Sequence, residues 1–398
     1  RDDVESRGLG DVYKRQVLVK VWLIVRLITI KYMCIMLRIA YIISVISILL
    51  FISCTPNPVV SGKKPYTDFP QEQELKARTI RLDTALFRYP SRLHIRDGKA
   101  VVLDLHGTDY FFHTFSYPDF RYLSSFGRRG DAPQDMLSAE NFRWNGAFLW
   151  TLDSNKSELT RFGFALSDDS LLRQEAVNLD KDILRALDFV MCEDSTFIIP
   201  DYSGDSRFCK VCRDGKLMHK FGVIPTVNED ALQNARPALA QAWRSFIDYN
   251  PRSGILAVAT QLGEVLEIYN LKDSTHVVCM GPHGEPEFQV SGGYGIPTGI
   301  MGFSDVQVTD RAIYAVFHGR SFKDIARDAR NGINHPDGGQ FIYVFSLTGK
   351  PLKKYVLDHY ICGISVDEQH GVIYATDVNE DEPIFCLLYT SPSPRDST

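Results

Sequence analysis

Two adjacent arginines and a nearby acid form the first group of residues that could bind a ligand. Arg128, Arg129 and Asp131 stand together in segment 126–133, between two apolar runs. Neighbouring guanidinium groups can hold a carboxylate, a phosphate or an acidic sugar through paired hydrogen bonds. The alternative is a solvated turn in which Asp131 forms an ion pair with one of the arginines. We therefore treat these three residues as candidate ligand-binding residues.

A second polar group lies in and beside the longest insertion of the chain, residues 319–339. It comprises His318, Arg320, His335 and Asp337. These side chains could supply hydrogen-bonding groups or metal ligands, although the pattern alone predicts no metal site. Residues 322–330 between them have the apolar spacing of a short amphipathic helix, which could form a flap beside a binding site. The alternative is a surface excursion whose polar side chains satisfy one another.

Motifs that would indicate catalysis are absent from the sequence. Cys209 and Cys212 have the spacing of a redox or zinc motif. They lie in an alternating run that predicts a strand, where residues three apart face opposite sides and cannot form a disulfide. There is no G-x-S-x-G nucleophile elbow, and the glycine-rich segment 291–299 lacks the lysine of a phosphate-binding loop. The sequence therefore favours a protein that is not an enzyme and predicts no cofactor.

The composition excludes some classes of partner. The 398 residues carry a net charge of −5, and no basic field covers the chain. Nucleic acid is therefore not predicted as a partner. The eight cysteines are scattered rather than arranged as in a small disulfide-rich scaffold. An aromatic content of 12% favours strands.

The segment that follows Met36 has the pattern of an export signal. Arg38 supplies a positive charge, and residues 39–51 form an apolar run of signal-peptide length. The small residue Ser53 then precedes Cys54, as in the lipobox at which signal peptidase cuts and a cysteine thiol is alkylated by diacylglycerol. We therefore predict lipidation of Cys54.

The alternative is a simple transmembrane anchor, because residues 17–53 are apolar over more than the ~20 residues that span a bilayer. Basic residues interrupt this run, which favours the export signal. They are Lys20, Arg26, Lys31 and Arg38.

The sequence predicts five consecutive regions. Residues 1–35 are a non-native or upstream translated segment, 36–54 the signal peptide and lipobox, and 55–74 a flexible Pro/Gly/Ser-rich tether. Residues 75–386 form the folded domain, and 387–398 a non-native tail. The outer ends of the chain resemble translated sequencing-adapter sequence. No acidic cluster follows Cys54, which favours a lipid-anchored, periplasm-facing protein of the bacterial envelope.

A β-hairpin pattern recurs along the folded region. The hairpins are predicted at residues 110–126, 158–179, 207–221, 264–280 and 340–357. An apolar strand precedes each hairpin, and another opens a last, truncated unit; these strands are predicted at residues 100–105, 147–152, 196–202, 255–261, 312–318 and 372–378. Such repeats bury both faces of each sheet when they stack around an axis. The pattern predicts an all-β, six-bladed propeller, closed by an early strand within residues 75–88. The alternative is an irregular β-sandwich or two smaller β domains.

The junctions between the hairpin units add a resemblance. Residues 126–133 and, more weakly, 280–286 resemble the blade junctions of NHL-type repeats. The organisation over residues 66–386 resembles the TolB-like six-bladed propeller lipoproteins of Bacteroidetes. The junction at residues 221–225 departs from the pattern after Gly222. The resemblance implies a fold and a place in the cell envelope, and it implies no particular chemistry.

Two functions are consistent with these observations. The first is a membrane-tethered scaffold that binds a protein, peptide or glycan partner on a face covered by insertions such as residues 228–243 and 319–339. The alternative is a metal-dependent hydrolase or lyase that acts on a sugar or a lactone, because some six-bladed propellers resemble such enzymes. Its calcium ion would lie in the central channel. Acids, amides and histidines that converge on the channel would favour the enzyme. Aromatic and arginine side chains at its rim would favour the binder.

Overall fold

The computed structural model describes most of the chain from residue 60 onward. The described residues are 60–82, 87–165, 169–193 and 195–389, together with Trp22, Arg26, 31–33 and 36–38. The chain divides into two units, Arg1–Pro56 and Asn57–Thr398. Within the described part, no helix has the length and apolar character needed to cross a membrane. Cys54 and most of the predicted signal region lie outside the described residues.

Six sheets, each built on a meander of four antiparallel strands, form the main part of the second unit. The first strands of the blades are β4 (Pro90–Arg96), β8 (Ala139–Asn145), β12 (Val190–Met191), β16 (Ser245–Asn250), β22 (Phe303–Val308) and β26 (Gly363–Asp367). The second strands are β5 (Lys99–Asp104), β9 (Phe148–Asp153), β13 (Phe197–Pro200), β17 (Ile255–Thr260), β23 (Ala312–Phe317) and β27 (Val372–Thr376). The third strands are β6 (Tyr110–Ser116), β10 (Glu158–Phe164), β14 (Phe208–Val211), β18 (Val265–Asn270), β24 (Gly339–Ser346) and β28 (Ile384–Leu388). The fourth strands are β7 (Tyr122–Arg128), β11 (Leu171–Asn178), β15 (Leu217–Phe221), β19 (Thr275–Met280), β25 (Pro351–Ile361) and, in the sixth blade, β3 (Ala77–Ile80).

This arrangement is a six-bladed β-propeller, which confirms the predicted fold class. The predicted hairpins are the third and fourth strands of blades 1 to 5, and the predicted apolar strands are the second strands. Neighbouring blades sandwich each sheet, so its middle strands need apolar side chains on both faces. Every residue of β17 and of β23 is buried for this reason.

The ring closes through an early strand, as the sequence predicts. β3 pairs antiparallel with β28, so that Ala77 lies opposite Leu387 and Ile80 opposite Ile384. The sixth blade thereby has four strands and is complete. The predicted boundary at residue 386 is too early, because Leu387 is buried in the core and pairs with its neighbours on both sides.

Residues 60–74, which the sequence assigns to a flexible tether, instead form part of the propeller. β1 (Val60–Pro65) pairs parallel with β19 at the edge of blade 4, and β2 (Glu72–Leu75) pairs parallel with β25 at the edge of blade 5. Between them Tyr66 and Phe69 are buried in the core. The composition suggested a tether because most residues around these two aromatic anchors are polar or small. We call residues 60–80 the N-terminal belt.

Three insertions project from the propeller. Helices α1 (Glu229–Asn234) and α2 (Arg236–Ala242) lie between blades 3 and 4, and the hairpin β20 (Phe288–Ser291) and β21 (Tyr294–Pro297) lies between blades 4 and 5. Helix α3 (Phe322–Arg330) follows the second strand of blade 5 and has the predicted bounds.

Pro237 stands within residues 228–243, where it would interrupt a single continuous helix. The structure has two helices there. Pro237 stands in the first turn of α2, where a proline costs no hydrogen bond.

Candidate binding site

The propeller has two faces that differ in their loops. In each blade, the first strand begins at one face and the second strand ends at that same face. This face carries all three insertions. We call it the loop face. The first strand ends at the opposite face, where short turns join it to the second strand, and we call this the turn face.

Polar side chains on the first strands connect the blades around the axis. Carboxylate oxygens of Asp188, Asp248 and Asp305 accept hydrogen bonds from backbone N–H groups of the next blade. The distances from the backbone nitrogen to the carboxylate oxygen are 3.0 Å for Asp188, 2.7 Å for Asp248 and 2.9 Å for Asp305. Ser365 accepts one from Ile95 in the same way at 3.1 Å, across the closing junction. The channel carboxylates therefore serve as acceptors that join the blades.

Two arginines form ion pairs with two of these acids, Asp188 and Asp305. The Arg92 guanidinium in blade 1 lies 2.6 Å from Asp305 of blade 5, and Arg143 in blade 2 lies 3.1 Å from Asp188 beside blade 3. Both pairs are buried. Arg143 also donates to the carbonyl oxygens of Phe189 and Ile247. The carboxylates of Asp188 and Asp305 are thus held in buried ion pairs that join the blades.

The loop face contains two adjoining depressions. One lies at the channel mouth and has a volume of about 220 Å³, and we call it the axial pocket. Its lining includes Tyr89, Glu140, Phe246, His318 and Asp337. The other, the side pocket, lies over blades 3 and 4 and has a volume of about 510 Å³. The two share four lining residues, which are Leu187, Arg244, Gln261 and Met301.

All three insertions contribute walls to the side pocket. Gln241 of α2, Pro297 of the hairpin and Phe322 of α3 line it. The hairpin packs closely on α2, since a Cβ on Gly295 would come within 2.6 Å of the Ala238 carbonyl oxygen. The Gly295 N–H donates to the Gln241 side chain at 3.2 Å. The insertions thus form one wall, as expected for a binding face.

The structure brings the second predicted polar group together at this face. His318 and Asp337 line the axial pocket. The Arg320 guanidinium donates to His318 Nε2 at 3.1 Å, and lies 5.2 Å above the Tyr360 ring. His335 instead pairs with Asp328 of α3 at 2.8 Å. Two members of the group therefore line the axial pocket, whereas His335 supports the α3 insertion.

The first predicted group lies apart from both pockets. Arg128 ends β7 at the outer edge of blade 1, and Arg128, Arg129 and Asp131 are all exposed. The Arg129 guanidinium donates to the Gly107 carbonyl at 2.8 Å and lies 4.9 Å above the Phe111 ring. Arg129 thus fixes the loop between blades 1 and 2, and none of the three residues lines the axial or the side pocket.

His318, at the loop face, is expected to make the free energy of unfolding depend on pH. Burial, and then the charges of Arg320 and His335, lower the pKa of His318 to about 4. Below about pH 6.5 the unfolded chain therefore binds a proton that the folded protein does not. Acidification from pH 7 to pH 5 is expected to lower the free energy of unfolding by about 2 kcal/mol through this residue. Denaturant titration of the wild type and of His318→Gln at both pH values measures the effect. Equal pH dependence in the two proteins would contradict it.

A third depression, of about 500 Å³, lies on the turn face. His94, Arg143, Trp144 and Asp248 contribute to its lining. Burial, and then the charges of Arg143 and Arg92, lower the pKa of His94 well below its usual value, so this histidine is neutral. Arg143 and Asp248 already join blades. Because the turns here are short and carry no insertion, we take the loop face as the candidate site.

No group of three or more histidine, cysteine or acidic side chains within the described residues is arranged to hold a metal ion. Cys209 is buried on β14, and neither it nor Cys212 is in a disulfide. Burial raises the pKa of the Cys209 thiol to about 12. This cysteine is therefore a protonated, apolar core residue.

Sequence reasoning missed Arg185 and Arg244, which line the side pocket. Each stands in a connection that leads into a first strand, Arg185 before β12 and Arg244 before β16. In a propeller, all connections that lead into first strands meet at the same face. Recognition of the fold could therefore have identified Arg185 and Arg244 as residues of that face.

Comparison with known proteins gives a family match. The family described as TolB-like 6-blade propeller-like matches residues 68–369. No curated protein matches the chain significantly.

Several solved structures resemble the chain. A protein of Bacteroides fragilis that is described as exported is 10% identical, with a TM-score of 0.49, over 83% of this chain and 98% of its own. A member of the DUF4221 family from Bacteroides vulgatus is 9% identical, with a TM-score of 0.47, over 79% and 95% of the two chains. A streptogramin B lyase is 11% identical, with a TM-score of 0.43, over 79% and 97%.

Proposed function

The chain belongs to the TolB-like six-blade propeller family, and from that premise we propose that it is an exported module that binds a polypeptide partner on its loop face. The observation that carries the proposal is the side pocket, which three separate insertions and the channel rim enclose together. Insertions on one face of a rigid scaffold are the usual place for binding residues. The export pattern that ends at Cys54 supports a position at the bacterial envelope, and we propose that lipid on Cys54 holds the module there with the domain facing the periplasm.

The rim of the channel supports binding over catalysis. Tyr89, Phe246, Arg244 and His318 surround the axial pocket, whereas the channel acids below them are engaged in ion pairs and backbone hydrogen bonds. Aromatic and arginine side chains are the groups most enriched at the centres of protein interfaces. No specific observation favours the hydrolase or lyase, so we do not propose it.

Site-specific photo-crosslinking tests the proposed face. A photo-reactive residue is placed at Lys323, which is exposed on α3 at the loop face, or at Arg252, which is exposed in a turn of the opposite face. The lipidated protein is irradiated in intact cells, and adducts are identified by mass spectrometry. We expect a discrete polypeptide adduct from position 323 and none from position 252. Glycan adducts, or equal adducts from both positions, would overturn the proposal.

A further inference from the structure

The charges that line the side pocket are of one sign. Among its described lining residues, Arg185 and Arg244 are the charged ones, and no carboxylate lies among them. The remaining wall is mainly apolar and contains Leu184, Leu187, Met301 and Phe322. The pocket therefore combines two cations with a mainly apolar surface.

Arg244 is not held by a tight ion pair. Its nearest described carboxylate is that of Glu140, at 3.7 Å from Nη2, which exceeds the ~2.7–2.9 Å of a charge-assisted hydrogen bond. The Ser138 and Ser154 hydroxyls donate to the other oxygen of Glu140, at 3.2 and 2.9 Å. At 3.7 Å the guanidinium makes no charge-assisted hydrogen bond to Glu140, so its N–H groups can donate to a ligand.

Arg185 stands in an unusual backbone conformation at the rim of the pocket. Its φ of 53° is left-handed, a region that non-glycine residues adopt only at an energetic cost. The side chain is exposed, and its neighbour Leu184 is 51% exposed although it is apolar. A strained turn that presents a cation and a leucine to one pocket is consistent with a binding role.

We propose that the side pocket binds an extended apolar peptide segment whose carboxylate lies against Arg185 and Arg244. This inference rests on the proposed function and specifies the chemistry of the partner. The carboxylate belongs either to the C-terminus of the partner or to an aspartate or glutamate side chain. Each source would accept paired hydrogen bonds from a guanidinium group.

The walls favour a peptide over a sugar. Leu184, Leu187 and Met301 are aliphatic and match the side chains of apolar residues. The side-chain amide of Gln261, which lines both pockets, can pair with a peptide backbone. Sugars instead stack on aromatic rings, and of the rings near the pocket only Phe322 and Tyr202 line it among the described residues.

Three pools of labelled hexapeptides test the inference. All are randomised over Leu, Ile, Val, Phe and Ala at the last three positions. The first pool has free C-termini, the second is amidated, and the third is amidated with an internal glutamate. Retention on the immobilised full-length protein is measured by fluorescence at low and at high salt.

We expect the amidated pool without glutamate to be retained about tenfold less than one or both of the carboxylate pools, and high salt to reduce the difference. Preference for the first pool would identify a C-terminus, and preference for the third an acidic side chain. Equal retention of all three pools, or retention of none, would overturn the inference.

Charge variants assign the effect to the pocket. Arg185→Gln and Arg244→Gln are each expected to lower retention of the preferred pool about tenfold. Arg252→Gln, in which the replaced side chain is 82% exposed on the turn face, is the matched control and should change nothing. Thermal unfolding verifies that each variant is folded, and the exposed Arg185→Gln keeps the test valid if Arg244→Gln is unstable. Unchanged retention in Arg185→Gln would also overturn the inference. A failure here combined with polypeptide crosslinks at position 323 would leave the proposed function standing.

Discussion

Replacing Asp305 with alanine is expected to lower the free energy of unfolding by about 3–5 kcal/mol. The Asp305 carboxylate pairs with Arg92 at 2.6 Å and accepts hydrogen bonds from the backbone N–H groups of Val306 and Ile364. Its loss leaves a buried guanidinium without its counter-charge and a buried N–H without an acceptor. It also removes contacts that connect blades 1, 5 and 6. Denaturant unfolding at neutral pH measures the change.

Asp310 offers a matched control in the same blade. Asp310 also pairs with an arginine, Arg252. However, the Asp310 side chain is 44% exposed and the Arg252 side chain is 82% exposed. Because exposed ion pairs contribute little, Asp310→Ala should cost less than about 1 kcal/mol. Asp305→Asn keeps an acceptor oxygen for the backbone groups and should fall between the two alanine variants. A similar cost for Asp305→Ala and Asp310→Ala would show that the channel ion pair does not stabilise the ring.

Replacing Phe69 with alanine is expected to cost about 3 kcal/mol, near the lower end for a buried phenylalanine. The centroid of the Phe69 ring lies 4.6 Å from that of Tyr343 and 5.3 Å from that of Phe345. Phe69 stands in the connection between β1 and β2. The variant should also make the belt more sensitive to protease, because Phe69 fastens it to blade 5. Denaturant unfolding and limited proteolysis followed by mass spectrometry measure the two effects.

Thr67 provides the control for the belt. It lies two residues away on the same connection and is exposed, so Thr67→Ala should leave stability and cleavage unchanged. If Phe69→Ala unfolds like the wild type, residues 60–74 act as the flexible tether that composition suggested. That result would remove the belt from the folded core.

The outer strands of each blade could be predicted, whereas the strands next to the axis could not. The second, third and fourth strands are long or strongly apolar, as in β17 and β23. The first strands alternate apolar residues with polar residues whose partners lie on other blades, as Asp248 and Asp305 show. β12 has only two residues. Their stability comes from contacts distant in the sequence, and no local pattern reveals it.

The candidate site shows the same limit. His318, Arg320 and Asp337 could be identified because they stand in and beside one long insertion, and the structure places them at the loop face. Arg185 and Arg244 lie in different connections, 59 residues apart by their numbering, and converge only through the ring. Arg128, Arg129 and Asp131 have the composition of an anion site, but the position of β7 at an outer edge separates them from both pockets.

The direction of β1 determines how the domain can be held. β1 runs parallel to β19, and β19 starts at the turn face. Val60 lies opposite His276, near the start of β19. Val60 is therefore at the end of the belt that is farthest from the insertions. Residues 55–59 separate Cys54 from Val60, a contour of about 20 Å at full extension. If Cys54 carries lipid, this connection keeps Val60 within about 20 Å of the bilayer surface. The propeller would then stand with its turns toward the bilayer and its side pocket toward the aqueous compartment. In that orientation a ligand of the side pocket would approach from the aqueous compartment.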